Sequence, residues 1–143
     1  MGLFDAFDAS GSALSAERLR MDVTAENLAN AQSTRTANGQ GPYRRKEVVL
    51  QEAGSGTQAS FAESLQAARG VRVAGIVEDP TPPRRVYDPG HPDADAQGYV
   101  TMPNVNTVTE MTDLIGASRA YEANVTAMQT TKAMFARTLD LLK

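Results

Sequence analysis

The chain has 143 residues, 41% of them hydrophobic and only 6% aromatic, with no tryptophan. That is one domain's worth of material, or one helical part plus a small insertion, and it argues against a large aromatic-filled core. A net charge of -3 gives no general attraction to phosphate backbones, which argues against nucleic acid as a partner, and zero cysteines exclude disulfides, zinc thiolate sites and thiol catalysis.

The opening residues, Met1-Gly2-Leu3-Phe4-Asp5, lack the basic start and long apolar run of a cleaved secretory signal. No stretch reaches the length of a membrane span, so no membrane insertion is expected. From Leu3 to about Ala31 there is no proline, and Ala, Leu, Glu, Arg and Met recur, which predicts a helix of about 28 residues and about 42 Å. Phe7, Leu14, Met21 and Leu28 recur at every seventh position. A companion row, Phe4, Gly11, Arg18 and Ala25, is half small or charged. So narrow a stripe must lie along another helix, from its own chain or from a neighbour. Leu19 and Val23 fall off that seam, on another face, and give the helix a second surface to offer.

Gln32 to Pro42 has loop chemistry throughout. Tyr43 to Gln51 reads as a strand with Val48 and Leu50 on one face, and its Arg44, Arg45 and Lys46 as a solvated, charge-guarded edge. Val71 to Val77 reads as a second strand, with Val71, Val73 and Val77 alternating against Arg72, Ala74 and Ile76. Between the two lie a flexible Gly54-Ser55-Gly56 and a short helix opened by the capping box Ser60-Phe61-Ala62-Glu63. From Asp79 to Pro103, the turn formers Pro80, Pro82, Pro83, Pro89, Gly90, Pro92 and Gly98 predict a segment running extended over a surface, with a short strand at Tyr99-Val100-Thr101. Thr107 and Glu110 read as a second capping box, and the proline-free run from Val108 to Lys143 as a helix of about 36 residues. Its seam is Leu114, Ser118, Tyr121, Val125, Met128, Lys132, Phe135, Leu139 and Leu142, broken once by a lysine that could fix register.

Chemistry is sparse. His91 stands among Asp88, Asp93 and Asp95, yet this string lacks the glycine and distant glutamate of a calcium-binding hand and the paired histidines of a zinc hydrolase. Asp side chains bonded to their own backbone explain it better, so no metal is expected. No serine nucleophile turn, phosphate cradle or distinguished carboxylate pair is present, so neither catalysis nor a cofactor is expected. The methionines at helical spacing read as packing.

Asn27-Leu28-Ala29-Asn30-Ala31 resembles the motif shared by the axial proteins of the bacterial flagellum, the rod, hook and hook-associated subunits. Gly41-Pro42-Tyr43-Arg44-Arg45-Lys46, the string Tyr87 to Asp95 with Gly98-Tyr99-Val100, and Pro103-Asn104-Val105-Asn106 resemble the proximal rod members of that group. Glu110-Met111, Asp113-Leu114 and Arg119-Ala120-Tyr121-Glu122-Ala123-Asn124 continue the likeness. Gln32-Ser33 departs from it, standing where related sequences often carry a threonine.

The resemblance implies a mainly α fold with a small β part. Residues 1-33 and 107-143 would be axial helices paired as a coiled-coil inner layer, and 34-106 a β-rich central insertion with an extended proline-rich segment. It also implies a structural subunit stacked helically into the periplasmic rod of the basal body and exported by the flagellar type III route without signal cleavage. Its neighbours would be other copies, other rod proteins and the hook-basal body adaptor to the membrane ring. The expected subunit interface comprises Phe7, Leu14, Leu19, Met21, Val23, Leu28, Leu114, Tyr121, Val125, Met128, Phe135, Leu139 and Leu142, with the two seam rows meeting inside one subunit. A free-standing coiled-coil adaptor would explain the heptads but leave the extended middle without a role.

Overall fold

The structure, a computed structural model, describes residues 3–36, 41–53 and 70–140. Two long helices, α1 (Leu3–Ala29) and α2 (Thr107–Asp140), frame strands β1 (Lys46–Glu52), β2 (Val71–Glu78), β3 (Arg84–Tyr87) and β4 (Tyr99–Met102). The fold is therefore mainly helical with two small antiparallel sheets, β1-β2 and β3-β4. No helix among the described residues is long and apolar enough to cross a membrane.

The helices run antiparallel. Asn27 bonds Glu110 at one end of the pair, and towards the other end a Cβ on Gly11 would sit 4.0 Å from the Met128 Cε. Among the side chains described, Ala16, Val23 and Asn27 are the buried positions of α1, and Glu110 and Ala117 those of α2. Small side chains on both inner faces let the backbones approach closely, so the buried row of α1 is not the row of large residues that its sequence advertises. This corrects the expectation for Val23, which is only 5% exposed within one chain and has almost no surface left for a neighbour. Phe7, Leu14, Leu19, Met21, Leu28, Leu114, Tyr121, Val125 and Met128 are half-buried, whereas Phe135 and Leu139 are exposed. Leu142, the Gly54-Ser55-Gly56 turn and the short helix near Ser60 lie outside the described residues.

Packing is tightest at the end of the helical pair where α1 stops and α2 starts. Ala31, Tyr43 and Val105 form the buried apolar cluster there, with Val100 and Pro103 also fully buried. The β1-β2 sheet lies along α1. The Ser12 hydroxyl accepts the Val71 N–H at 3.1 Å, and Asn27 receives Lys46 at the far end. Gly70 permits the close approach at Ser12, since a Cβ there would stand 2.7 Å from the serine oxygen.

A bulge between Val49 and Leu50 resets the register. Leu50 pairs with Val73 while Glu47 pairs with Val77, so Val73 and Val77 face opposite sides, against the simple alternation read from sequence. Ile76, opposite Val48, joins the face of Val48 and Leu50.

The 79–103 segment does not run extended throughout. Its middle folds back as β3-β4, closed by an edge-on Tyr87–Tyr99 pair at 5.3 Å. Gly98 adopts a φ of 81°, and a Cβ there would be 2.9 Å from the Tyr87 ring, so only glycine fits. The Asp side chains of this loop do bond their own backbone: Asp88 accepts from Gly90, and Asp95 from Gln97 and Tyr99.

Candidate functional site

The most elaborate arrangement among the described residues is a buried polar knot where α1, α2, β1 and the β2–β3 connection meet. Asn27, on the last turn of α1, is 1% exposed. Its Oδ1 accepts from the Tyr43 hydroxyl and the Lys46 N–H, each at 2.9 Å. Its Nδ2 donates to the Lys46 carbonyl at 2.9 Å and to Glu110 Oε2 at 3.0 Å. An amide has two donors and two acceptor lone pairs, and all are used.

Glu110, also 1% exposed, stands on the first turn of α2. Its second oxygen accepts from Arg45 Nε at 2.6 Å. Arg45 further meets Glu47, Asp79 at 3.7 Å and Asp113 at 3.5 Å. Asn104 holds the same strut from behind: its Oδ1 accepts the Arg45 N–H at 2.9 Å and its Nδ2 donates to the Thr81 carbonyl at 3.1 Å. Burial alone would lower the Arg45 pKa, but the hydrogen bonds it donates to Glu110 and Glu47 outweigh it and hold the guanidinium charged above its usual range. Burial, with the nearby carboxylates of Glu26, Glu110 and Glu78, pushes the Tyr43 phenol from 10.0 up to about 12, so it remains a donor to Asn27.

Three expectations are corrected here. Glu110 closes no capping box with Thr107. The cap is Asn106, whose Oδ1 accepts from Val108 and Thr109, because the Glu110 carboxylate is committed to Asn27 and Arg45. Arg45 is the centre of the ion-pair cluster, not part of a solvated edge. Strand β1 begins only at Lys46, since Tyr43 and Arg45 bend inward to the knot. Neither Asn27 nor Glu110 was placed in the interior from sequence, although each shares a helical face with a buried small residue, Ala16 and Ala117, a whole number of turns away.

A second, smaller clamp ties the β3-β4 loop to the turn after α1. Asp93 accepts from the Thr34 hydroxyl at 2.7 Å and pairs with Arg35. The Thr34 hydrogen bond, then Arg35, lower its pKa. His91 spends its Nδ1 accepting the Asp93 N–H at 3.0 Å. Among the described residues no group of three or more His, Cys, Asp or Glu could hold a metal ion. Both clamps are fully satisfied networks, whose chemistry is to fix segments relative to one another.

The segments that the knot joins are those by which the chain is classed. Residues 7–35 match the family described as "Flagella basal body rod protein", and residues 96–141 match "Flagellar basal body rod FlgEFG protein C-terminal". Asn27 lies in the first and Glu110 in the second, so the knot joins the two segments whose matches class the chain with the rod-type axial proteins. The flagellar basal-body rod protein FlgC of Yersinia enterocolitica is 50% identical over 141 residues, covering 99% of this chain and 98% of that protein. FlgC of Salmonella typhimurium is 47% identical over 142 residues, with 99% and 98% covered. FlgC of Bacillus subtilis is 45% identical over 150 residues, with both chains covered in full at 100%. The chain belongs to the FlgC family of flagellar basal-body rod proteins.

Proposed function

We propose that this protein is a structural, non-enzymatic subunit of the proximal rod of the bacterial flagellar basal body. Full-length likeness to named rod proteins carries the reading. The antiparallel α1–α2 pair, locked at one end by Asn27 and Glu110, supports it physically. In this reading α1 and α2 (residues 1-33 and 107-143 with their flanks) pack as a coiled coil in an inner layer, and residues 34-106 form the outer part braced by the two clamps. Copies stack helically into a periplasmic shaft that passes torque. The subunit travels by the flagellar type III route and contacts other copies, other rod proteins and the hook-basal body adaptor to the membrane ring. The exposed Met134, Phe135 and Leu139 near the end of α2 are surfaces that such neighbours would cover.

Met128→Asp tests the reading by placing a charge where α2 meets Gly11. The variant is expected to disappear from isolated basal bodies and to abolish swimming in soft agar. Normal motility with the variant in the rod would refute the helix seam.

A further inference from the structure

Apart from the end of α2, two apolar surfaces are exposed among the described residues. Val108, Met111 and Ile115 are 71%, 51% and 55% exposed and form a stripe on α2 at i, i+3 and i+7. At 3.6 residues per turn this stripe lies about 140° around the helix from Glu110 and Ala117, which face inward. The second surface is the outer side of β1-β2, where Val49 and Val77 are exposed and Gly75, opposite Val49, leaves a trough between them. A Cβ at Gly75 would meet nothing within 4 Å. The other side of that sheet lies on α1, so the two surfaces point away from the body of the chain and cannot meet within it.

We infer that the Val108–Met111–Ile115 stripe of one copy docks on the Val49–Gly75–Val77 face of a second copy. The inference rests on the rod-subunit reading and supplies it with a contact. The sizes agree: the stripe is about 10 Å long, and the face from Glu47 to Gln51 about 13 Å. The charges agree as well. Arg119, one turn past Ile115, forms no ion pair among the described residues. Glu47 sits beside Val77 at one end of the sheet face, and its side chain is 52% exposed although paired with Arg45. Laying Ile115 over Val77 brings Arg119 to Glu47 and Val108 towards the Gln51–Arg72 end. Met111 then enters the trough at Gly75, a place that suits its adaptable side chain.

Stripe and face are different surfaces, so the contact is head-to-tail. It does not close on itself as a two-fold dimer does, and repeats as a ring or an open helix. A few large side chains fall far short of the roughly 20–30 residues a side of a stable interface. Alone the contact is weak: it is lasting only beside the others of an assembly, and between free chains it forms transiently at high concentration.

The absence of native cysteine makes the test clean. Cells carrying Ile115→Cys on one copy of the gene and Val77→Cys on another are grown, their rods isolated and oxidised, and the linked peptides read by mass spectrometry. A 115–77 disulfide in the rod fraction is expected, and a Met111→Cys with Val49→Cys pair should link likewise. Rods that contain both variants yet show only 115–115 or 77–77 links, links to another protein, or none overturn the contact while leaving the rod reading intact. Absence of the wild-type chain from rods overturns both. Should the variants stay out of rods that admit wild type, the purified single-cysteine chains are mixed at high concentration. The 115–77 link is expected there too, and its absence overturns the contact.

Discussion

Asn27→Asp changes one atom group and removes a donor from the centre of the fold. The substituted carboxylate keeps the acceptor for Tyr43 and Lys46 but leaves the Lys46 carbonyl and Glu110 Oε2 without their shared partner. Each buried group so stranded costs about 1–3 kcal/mol. The new carboxylate also stands at the 3.0 Å position of the amide nitrogen, against Glu110, and two such carboxylates cannot both ionise cheaply. A total of about 4 kcal/mol at neutral pH is expected, a large part of the ~5–15 kcal/mol of an ordinary domain. The introduced carboxylate, buried beside a negative charge, would bind a proton more tightly folded than unfolded, so the penalty is smallest below the ordinary carboxylate range and grows as pH rises through its raised folded value. Urea unfolding followed by circular dichroism at pH 5 and pH 8 measures it, with Glu110→Gln added to restore a donor between the two positions. The midpoint should fall by about 2 M at pH 8 and by less at pH 5, given ~1–3 kcal/mol per M. A loss under about 0.5 M, or one indifferent to pH, refutes the argument that the amide's donors hold the knot.

Tyr43 titrates at about 12 in the fold against 10.0 as its ordinary value. Its raised pKa means stability that is complete below 10 and is lost as pH climbs towards 12, so Tyr43→Phe should flatten the alkaline arm of a urea-midpoint profile between those limits. Gly98→Ala forces a Cβ onto the Tyr87 ring at a φ of 81°. It is expected to cost about 1–2 kcal/mol and to weaken the near-ultraviolet signal of the Tyr87–Tyr99 pair, and an unchanged melt would refute the need for glycine there.

Helix existence was legible because α1 and α2 are long, free of proline and rich in good helix formers. The strands β1 and β2 were legible from their valines. What escaped was everything whose meaning lies far off in sequence. Asn27 showed as part of a motif, Glu110 as a cap and Arg45 as a surface charge, yet 83 positions separate the first two, which form one hydrogen bond. Strand β3, Arg84-Arg85-Val86-Tyr87, was hidden by the three prolines before it and has little apolar alternation of its own. Val23 was sent outward because the seam was drawn through the largest side chains, whereas the helices come together over Ala16 and Ala117. The bulge after Val49 shifted one strand by a single residue, and a shift of one reverses every side chain beyond it.

Asn27, with every valence taken, has a consequence for the gene as well as for the fold. Serine, threonine and aspartate lack its paired donors, and glutamine carries the same amide one methylene too far out. The codon for residue 27 therefore has no synonym among the other side chains. Drift that the surface of this molecule would absorb becomes, at that one place, a change in how both terminal segments are held together.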